Sequence, residues 1–136
     1  MNFKTLILLL LLLPSLIFSQ EETEGSIIAD SLNECMDSII PFDIKKAFVC
    51  IEEANKKSEL EMISTYEKLL KLTDNNQTVI HSQEKWIEYR NAQSKMIMDV
   101  LDFMSKDYPV ERRLVKFSLN QERTDHLKSL IDAITN

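Results

Sequence analysis

Apolar residues recur every three or four positions along most of the chain, and this spacing predicts helices. In the clearest case, Ile44, Phe48 and Ile51 begin a stripe that continues through Met62 to Leu69. Such spacing places the side chains on one face of a helix. Similar stripes precede and follow this segment. The sequence therefore predicts a short first helix and three long ones, at residues 27–39, 44–72, 78–106 and 109–134.

Prolines and polar residues mark the breaks between these helices. The first helix must end before Pro41, because proline disfavours helical geometry in the residue that precedes it. Asp43 can cap the second helix, and residues 73–77 (TDNNQ) predict a turn. Pro109 suits the first turn of the last helix. These breaks give three long helices that alternate in direction.

The two last helices carry apolar stripes that can close a common core. The positions predicted to be buried are Val79, Trp86, Ile97, Val100, Leu101 and Met104 in the third helix, and Leu114, Phe117, Thr124, Leu127, Leu130, Ile131 and Ile134 in the fourth. The chain has one glycine, Gly25, so it lacks the turns that a sheet requires. The fold class predicted is all-α, an antiparallel bundle of three long helices with the short N-terminal helix attached by a disulfide.

The first residues predict export. Lys4 precedes an uninterrupted apolar run at residues 6–13, and Ser19 precedes the polar residues that begin at Gln20. The alternative, a membrane anchor, is disfavoured because the run is shorter than the roughly 20 residues of a spanning helix. We therefore predict a signal peptide at residues 1–19, a flexible leader at 20–26 and a helical domain at 27–136. The product would be periplasmic or secreted, with no stable membrane anchor after cleavage.

Two cysteines remain after the predicted signal, Cys35 and Cys50. In an exported chain they predict a disulfide. Closing a loop of this size removes about 3 kcal/mol of entropy from the unfolded state. The cysteines do not form a CxxC motif, and His81 and His126 lie far from them and from each other. Neither a redox site nor a metal site is therefore predicted.

The net charge and the motifs of the chain reduce the number of functions that it could have. The chain has a net charge of −6, which becomes −7 once Lys4 is removed with the signal. This charge disfavours nucleic acid and favours a basic partner. The sequence contains no glycine-rich phosphate loop, no GxSxG elbow and no plausible Cys/His pair. We predict no cofactor and no enzymatic activity.

Polar residues also lie on the apolar faces of the last two helices. The third helix carries Gln83, Trp86, Tyr89 and Arg90 at spacings of three and four, and the fourth carries Asn120 and Arg123. A buried arginine is costly unless its donors are satisfied. We therefore predict that Arg90 and Arg123 bond across the bundle to carboxylates such as Glu59, in a network that Asn120 and Gln83 complete. The alternative is a ligand-binding groove lined by the same residues.

These motifs resemble those of a known family. Residues 83–92 (QEKWIEYRNA) are similar to the QxxWxxYRxA signature of the LprI-type lysozyme inhibitor domain, and residues 119–123 (LNQER), followed by Leu127, are similar to its closing pattern. Glu59 and Tyr66 fall at matching positions, and Cys35 with Cys50 resembles the family's early cysteine pair. Where members of that family carry a second pair, this chain has Ser94 and about Val115. The resemblance covers residues 33–134.

The resemblance implies an exported binding protein that inhibits lysozyme. Lysozyme is basic, and so are other envelope proteins that could serve as partner. The candidate partner-binding residues, chosen for their charge, are Glu52, Glu53, Glu59, Glu61, Asp125 and Asp132. The alternative function is a protein-interaction module of the envelope or periplasm that does not inhibit lysozyme.

Overall fold

Four helices make up the part of the protein that the structure, a computed structural model, describes: residues 24–104 and 109–136. They are α1 (Glu24–Asp37), α2 (Ile44–Leu72), α3 (Gln77–Met104) and α4 (Pro109–Thr135). No strand occurs within these residues, which confirms the all-helical prediction. The predicted signal peptide at residues 1–19 lies outside them. So does most of the predicted leader, although its residues 24–26 belong to α1.

The helix ends follow the local sequence. The Asp43 carboxylate caps α2 by accepting hydrogen bonds from the backbone N–H groups of Lys45 and Lys46, at 2.9 and 3.4 Å. After α2, Asp74 and Asn75 adopt positive φ angles of 51° and 57°. Short polar side chains tolerate this left-handed conformation better than most. The turn predicted at residues 73–77 therefore forms, and α3 begins within it at Gln77.

The apolar interior consists of two clusters. The first joins α1 to the beginning of α2 and includes Ile28, Leu32, Ala47, Ile51 and Ala54, with Val110, Leu114 and Phe117 of α4 packed against it. The second lies farther along α2 and contains Met62, Leu69, Leu127 and Ile131, with Tyr66, Val79 and Trp86 packed against it. Polar side chains occupy the level between the two clusters.

The long helices do not contact each other equally. α2 packs most extensively against α4, whereas α3 makes fewer contacts with either. Ser58 of α2 bonds to Asn120 of α4, and Glu61 bonds to Lys128, so partners advance together along both helices. α2 and α4 therefore run in the same direction. In contrast, Gln83 bonds to Met62 while Arg90, later in α3, bonds to Glu59, so α3 runs opposite to α2.

Three positions predicted to be buried are exposed instead. Val100 is 49% exposed because the second half of α3 diverges from the other helices, and none of its described side chains from Asn91 to Leu101 is buried. Leu130 is 42% exposed since it lies beside the buried face that Leu127 and Ile131 form. Ile134 is 51% exposed because it lies in the last turn of α4, beyond the second cluster. Across residues 24–104 and 109–136, no helix is long and apolar enough to cross a membrane.

The disulfide between Cys35 and Cys50 is confirmed, with Cα atoms 5.9 Å apart. It links α1 to α2, and Cys50 itself is buried in the first cluster. We predict that Cys35→Ser with Cys50→Ser destabilises the protein by about 3 kcal/mol, because the unfolded chain regains the entropy that the bond removes. This loss corresponds to a melting temperature lowered by about 10 °C.

Circular dichroism melting of the double variant and of the reduced wild type measures this effect. The two should melt together, since both lack the bond. A double variant that melts like the oxidised wild type would show that the disulfide adds nothing to stability.

Candidate functional site: a buried polar layer and an acidic helix face

Between the two apolar clusters, α2, α3 and α4 contribute a layer of buried polar side chains. Asn120 and Ser58 are fully buried, and Arg90 and Arg123 are each 7% exposed. These positions lie on the core-facing sides of their helices, so their side chains have little access to water. Each must therefore find its hydrogen-bond partner inside the protein.

Glu59 of α2 receives two cations from the other helices. Arg90 Nη1 of α3 donates to Glu59 Oε1 at 3.1 Å, and Lys116 Nζ of α4 donates to Oε2 at 2.7 Å. These bonds, first that of Lys116 and then that of Arg90, hold the pKa of Glu59 below its usual value, although partial burial opposes them. One carboxylate therefore connects all three long helices.

Asn120 is the second residue that connects the three long helices. The same Arg90 Nη1 donates to Asn120 Oδ1 at 3.0 Å, and Asn120 Nδ2 donates to Ser58 Oγ at 3.2 Å. Ser58 Oγ in turn donates to the backbone carbonyl of Asn55 at 2.9 Å. The side-chain amide of Asn120 therefore bonds across the bundle through both its oxygen and its nitrogen. Since neither bond survives a shift of one helix turn, these contacts define how far each helix slides past the others.

Arg123 does not follow the prediction that both arginines bond to carboxylates. Its Nε donates to Gln83 Oε1 at 3.1 Å, and its Nη2 donates to Ser82 Oγ at 3.3 Å. Gln83 Nε2 then reaches Met62 Sδ at 3.0 Å. The α2 acids near this level are already paired with lysines. Burial without a carboxylate lowers the pKa of Arg123.

The aromatic residues of the family signature take different positions. Trp86 is half-buried, and the guanidinium carbons of Arg90 and Arg123 lie 5.3 and 5.7 Å from its ring centroid, close enough for a cation–π contact. Tyr66 packs against the second cluster. Tyr89 is 54% exposed and takes no part in the layer, which corrects the prediction that it shares a face with Arg90.

Two lysines of this region were not predicted from the sequence. Lys116 binds Glu59, and Lys128 Nζ donates to Glu61 Oε1 at 2.6 Å. The side chain of Glu61 is only 4% exposed, so the prediction that Glu61 binds a partner is wrong. Lysines on a helix are usually solvated, and only the acids facing them from α2 could have indicated these pairs.

The other candidate acids are exposed but differ in their surroundings. Glu53 lies 2.9 Å from Lys57 on the same helix, and this bond lowers its pKa. Glu52 is exposed on α2, while Asp125 and Asp132 are exposed on α4. In the described part of the chain, no group of three or more His, Cys, Asp or Glu residues could hold a metal ion.

A comparison with protein families identifies the chain. The model of the family described as Lysozyme inhibitor LprI matches residues 43–127. The chain belongs to this family. No curated protein and no solved structure matches it.

The LprI match coincides with the long helices rather than with the whole helical domain. It begins at Asp43, the cap of α2, and ends at Leu127 in the second cluster. Every residue of the polar layer therefore lies within the matched region. Helix α1, with Cys35, lies before it, so the match is narrower than the resemblance over residues 33–134. The disulfide connects a part outside the match to the LprI region.

We predict that Arg90→Ala lowers stability by about 3 kcal/mol, because Glu59 Oε1 and Asn120 Oδ1 lose the charged donor that they share in a buried layer. The melting temperature should fall by roughly 10 °C. Lys71→Ala is a matched control, since Lys71 is exposed in the last turn of α2. Equal melting temperatures for the two variants would contradict the role given to Arg90.

We also predict that Glu59→Gln makes stability less dependent on acid pH. The pKa of Glu59 is lower in the folded protein than in the unfolded chain, so its contribution is complete above its usual pKa and is lost as pH falls through the folded pKa. The variant should melt below the wild type at pH 7, and the difference should shrink by about pH 3. A difference that stays constant over this range would show that the carboxylate does not carry the effect.

Proposed function

We propose that this LprI protein is an exported, non-enzymatic inhibitor that docks on a basic lysozyme through the acidic face of α4. The family match supports lysozyme as the partner. The surface is suggested by the charges of α4, because several of its acids are exposed while the cations near them are paired or buried. Glu122, Asp125 and Asp132 form the acidic face, and all three are exposed.

The cations of α4 near this face are either paired with an acid of α2 or buried. Lys116 is paired with Glu59 and Lys128 with Glu61, while Arg123 is buried against Gln83. Among residues 24–104 and 109–136, no basic side chain forms an ion pair with the acidic face. The acidic face of α4 therefore carries negative charge that no ion pair in the described residues compensates. This observation carries the proposal.

Such a face suits recognition of a cationic enzyme. Its negative potential would orient and accelerate the encounter with lysozyme, and salt would weaken this effect. Once docked, the helix would cover part of the enzyme's surface and hinder access of the polysaccharide. The inhibitor itself performs no chemical step. Export through the signal peptide predicted at residues 1–19 would place it where lysozyme acts.

A second candidate is supported by a different surface. Tyr89, Met96, Val100 and Phe103 of α3 are 54%, 51%, 49% and 93% exposed, and they follow one another at spacings of seven, four and three along the helix. Exposed apolar stripes of this kind often contact another protein. An interaction module whose partner is not lysozyme would use this surface, and the acidic face of α4 would then be dispensable.

We predict that the exported, oxidised protein inhibits lysis of bacterial cell walls by a basic lysozyme. Asp125→Asn with Asp132→Asn should raise the inhibition constant about tenfold at low salt, because two charges that attract the enzyme are lost. The matched control is Glu84→Gln with Glu88→Gln, which removes the same charge from exposed positions on α3.

The control variant should inhibit like the wild type, and added salt should reduce the difference between the two variants. Equal inhibition by both variants would reject the α4 face. No inhibition by the wild type at any salt concentration would reject lysozyme as the partner.

A further inference from the structure

A cleft of about 940 Å³ lies between α2, the second half of α3 and the beginning of α4. It forms because α3 is held to its neighbours at Gln83 and Arg90 but has no buried side chain from Asn91 to Leu101. The polar layer and the acidic face lie farther along α4. The volume is within the range of about 300–1,000 Å³ that small-molecule sites usually have.

The walls of the cleft are partly apolar. Phe48 and Ile51 of α2 line one side, Met98 of α3 lines another, and Pro109 lies at the beginning of α4. Ile51 is fully buried, so it forms the floor, whereas Met98 is 46% exposed near the entrance. Apolar surface of this kind favours a ligand with a hydrocarbon chain, because covering it removes the surface from water.

Cations outnumber acids around this cleft, although the whole chain has a net charge of −6. The cationic lining residues are Lys95, Arg112, Arg113 and Lys116, and the acidic ones are Glu52 and Asp99. Lys95 is paired with Asp99, and Lys116 with Glu59. Arg113 forms no ion pair within residues 24–104 and 109–136, so its positive charge beside the cleft favours an anionic ligand over a neutral or cationic one.

Arg113 is the cation best placed to bind that ligand. Its guanidinium carbon lies 3.9 Å from the centroid of the Phe48 ring, so a cation–π contact holds the charge directly beside the apolar wall. In residues 24–104 and 109–136, no carboxylate forms an ion pair with it. A guanidinium that no carboxylate already occupies can donate charge-assisted hydrogen bonds to an anionic head group.

Two buried polar atoms belong to residues of the same walls. Ser94 Oγ of α3 and Asn55 Oδ1 of α2 have no hydrogen-bond partner in the described part of the chain. Buried polar atoms of folded proteins are nearly always bonded. The Ser94 hydroxyl could donate to an anionic oxygen from the side opposite Arg113, and Asn55 Oδ1 could accept from a hydroxyl group or from water.

We infer that this cleft binds a single-chain anionic amphiphile, with its hydrocarbon chain against Phe48, Ile51 and Met98 and its anionic head at Arg113. A fatty acid and a lysophospholipid both have this chemistry. The site is separate from the acidic face of α4, so the ligand and lysozyme would not compete for the same residues. The inference does not depend on inhibition of lysozyme.

Titration calorimetry of the exported, oxidised protein tests the inference with laurate below its micelle concentration. We expect saturable binding of laurate, and weaker binding of dodecanol and of dodecylamine, which share the chain but lack the negative charge. Lysophosphatidylglycerol, measured in the same way, distinguishes a lysophospholipid site from a fatty acid site. Binding of either anion supports the inference.

Two variants locate the ligand. Arg113→Gln should weaken laurate binding about tenfold, through loss of a charged donor. Met98→Glu should weaken it as well, because it adds a like charge to the wall. Lys71→Gln, at the opposite end of α2, removes the same charge as Arg113→Gln and should bind like the wild type. Melting curves verify that each variant is folded.

Absence of saturable binding of both laurate and lysophosphatidylglycerol to the wild type would overturn the inference. So would dodecylamine that binds as tightly as laurate, or wild-type affinity in both Arg113→Gln and Met98→Glu. None of these outcomes bears on the lysozyme assay, which reports on α4.

Discussion

The ion pair between Arg90 and Glu59, together with the bond from Arg90 to Asn120, is the contact on which the arrangement of the long helices depends. Apolar clusters on either side supply most of the burial, but hydrophobic packing is nondirectional and tolerates sliding by a helix turn. A buried guanidinium tolerates far less, because a shift would leave it and its acceptors without partners. The polar layer therefore contributes little net stability of its own while excluding other registers. This division of roles explains why a chain with one glycine and few turn signals adopts a defined packing.

The sequence predicted the helices well because their signals are local. Periodicity, the Asp43 cap, the 73–77 turn and the proline positions depend on residues close together in the chain. It also indicated that Arg90 would need a partner, since burying a charge is costly in any fold. The sequence could not show whether Tyr89 faces the core or the solvent. That residue and Arg90 are adjacent in the chain and point about 100° apart on the helix, so which of them faces the core depends on where α2 and α4 lie. Lys116 and Lys128 were missed for the same reason, because their acidic partners lie more than 50 positions away.

The ion pairs of Lys116 and Lys128 with α2 also determine which charges the surface of α4 presents. A net charge of −6 is compatible with evenly mixed charges, and alone it identifies no surface. In this LprI protein, Glu59 and Glu61 of α2 form ion pairs with Lys116 and Lys128 of α4. The acids that remain outside, Asp125 among them, then form no ion pair with a basic side chain in the described part of the chain. The pairs that link α2 to α4 thus create the asymmetric field on which recognition of a basic partner would depend.

The same polar layer explains why a cleft forms beyond it. α3 is a continuous helix of 28 residues, so its direction is determined where it is held, at Gln83 and Arg90. Its second half could approach α2 and α4 only by bending, and residues 91–101 contain neither proline nor glycine, which are common sites of sharp kinks. Closing the cleft by tilting the whole helix would break the bonds from Arg90 to Glu59 and Asn120. Apolar wall residues therefore stay partly open to water, because the cost of separating a buried charge from its partners exceeds the gain from covering a few side chains.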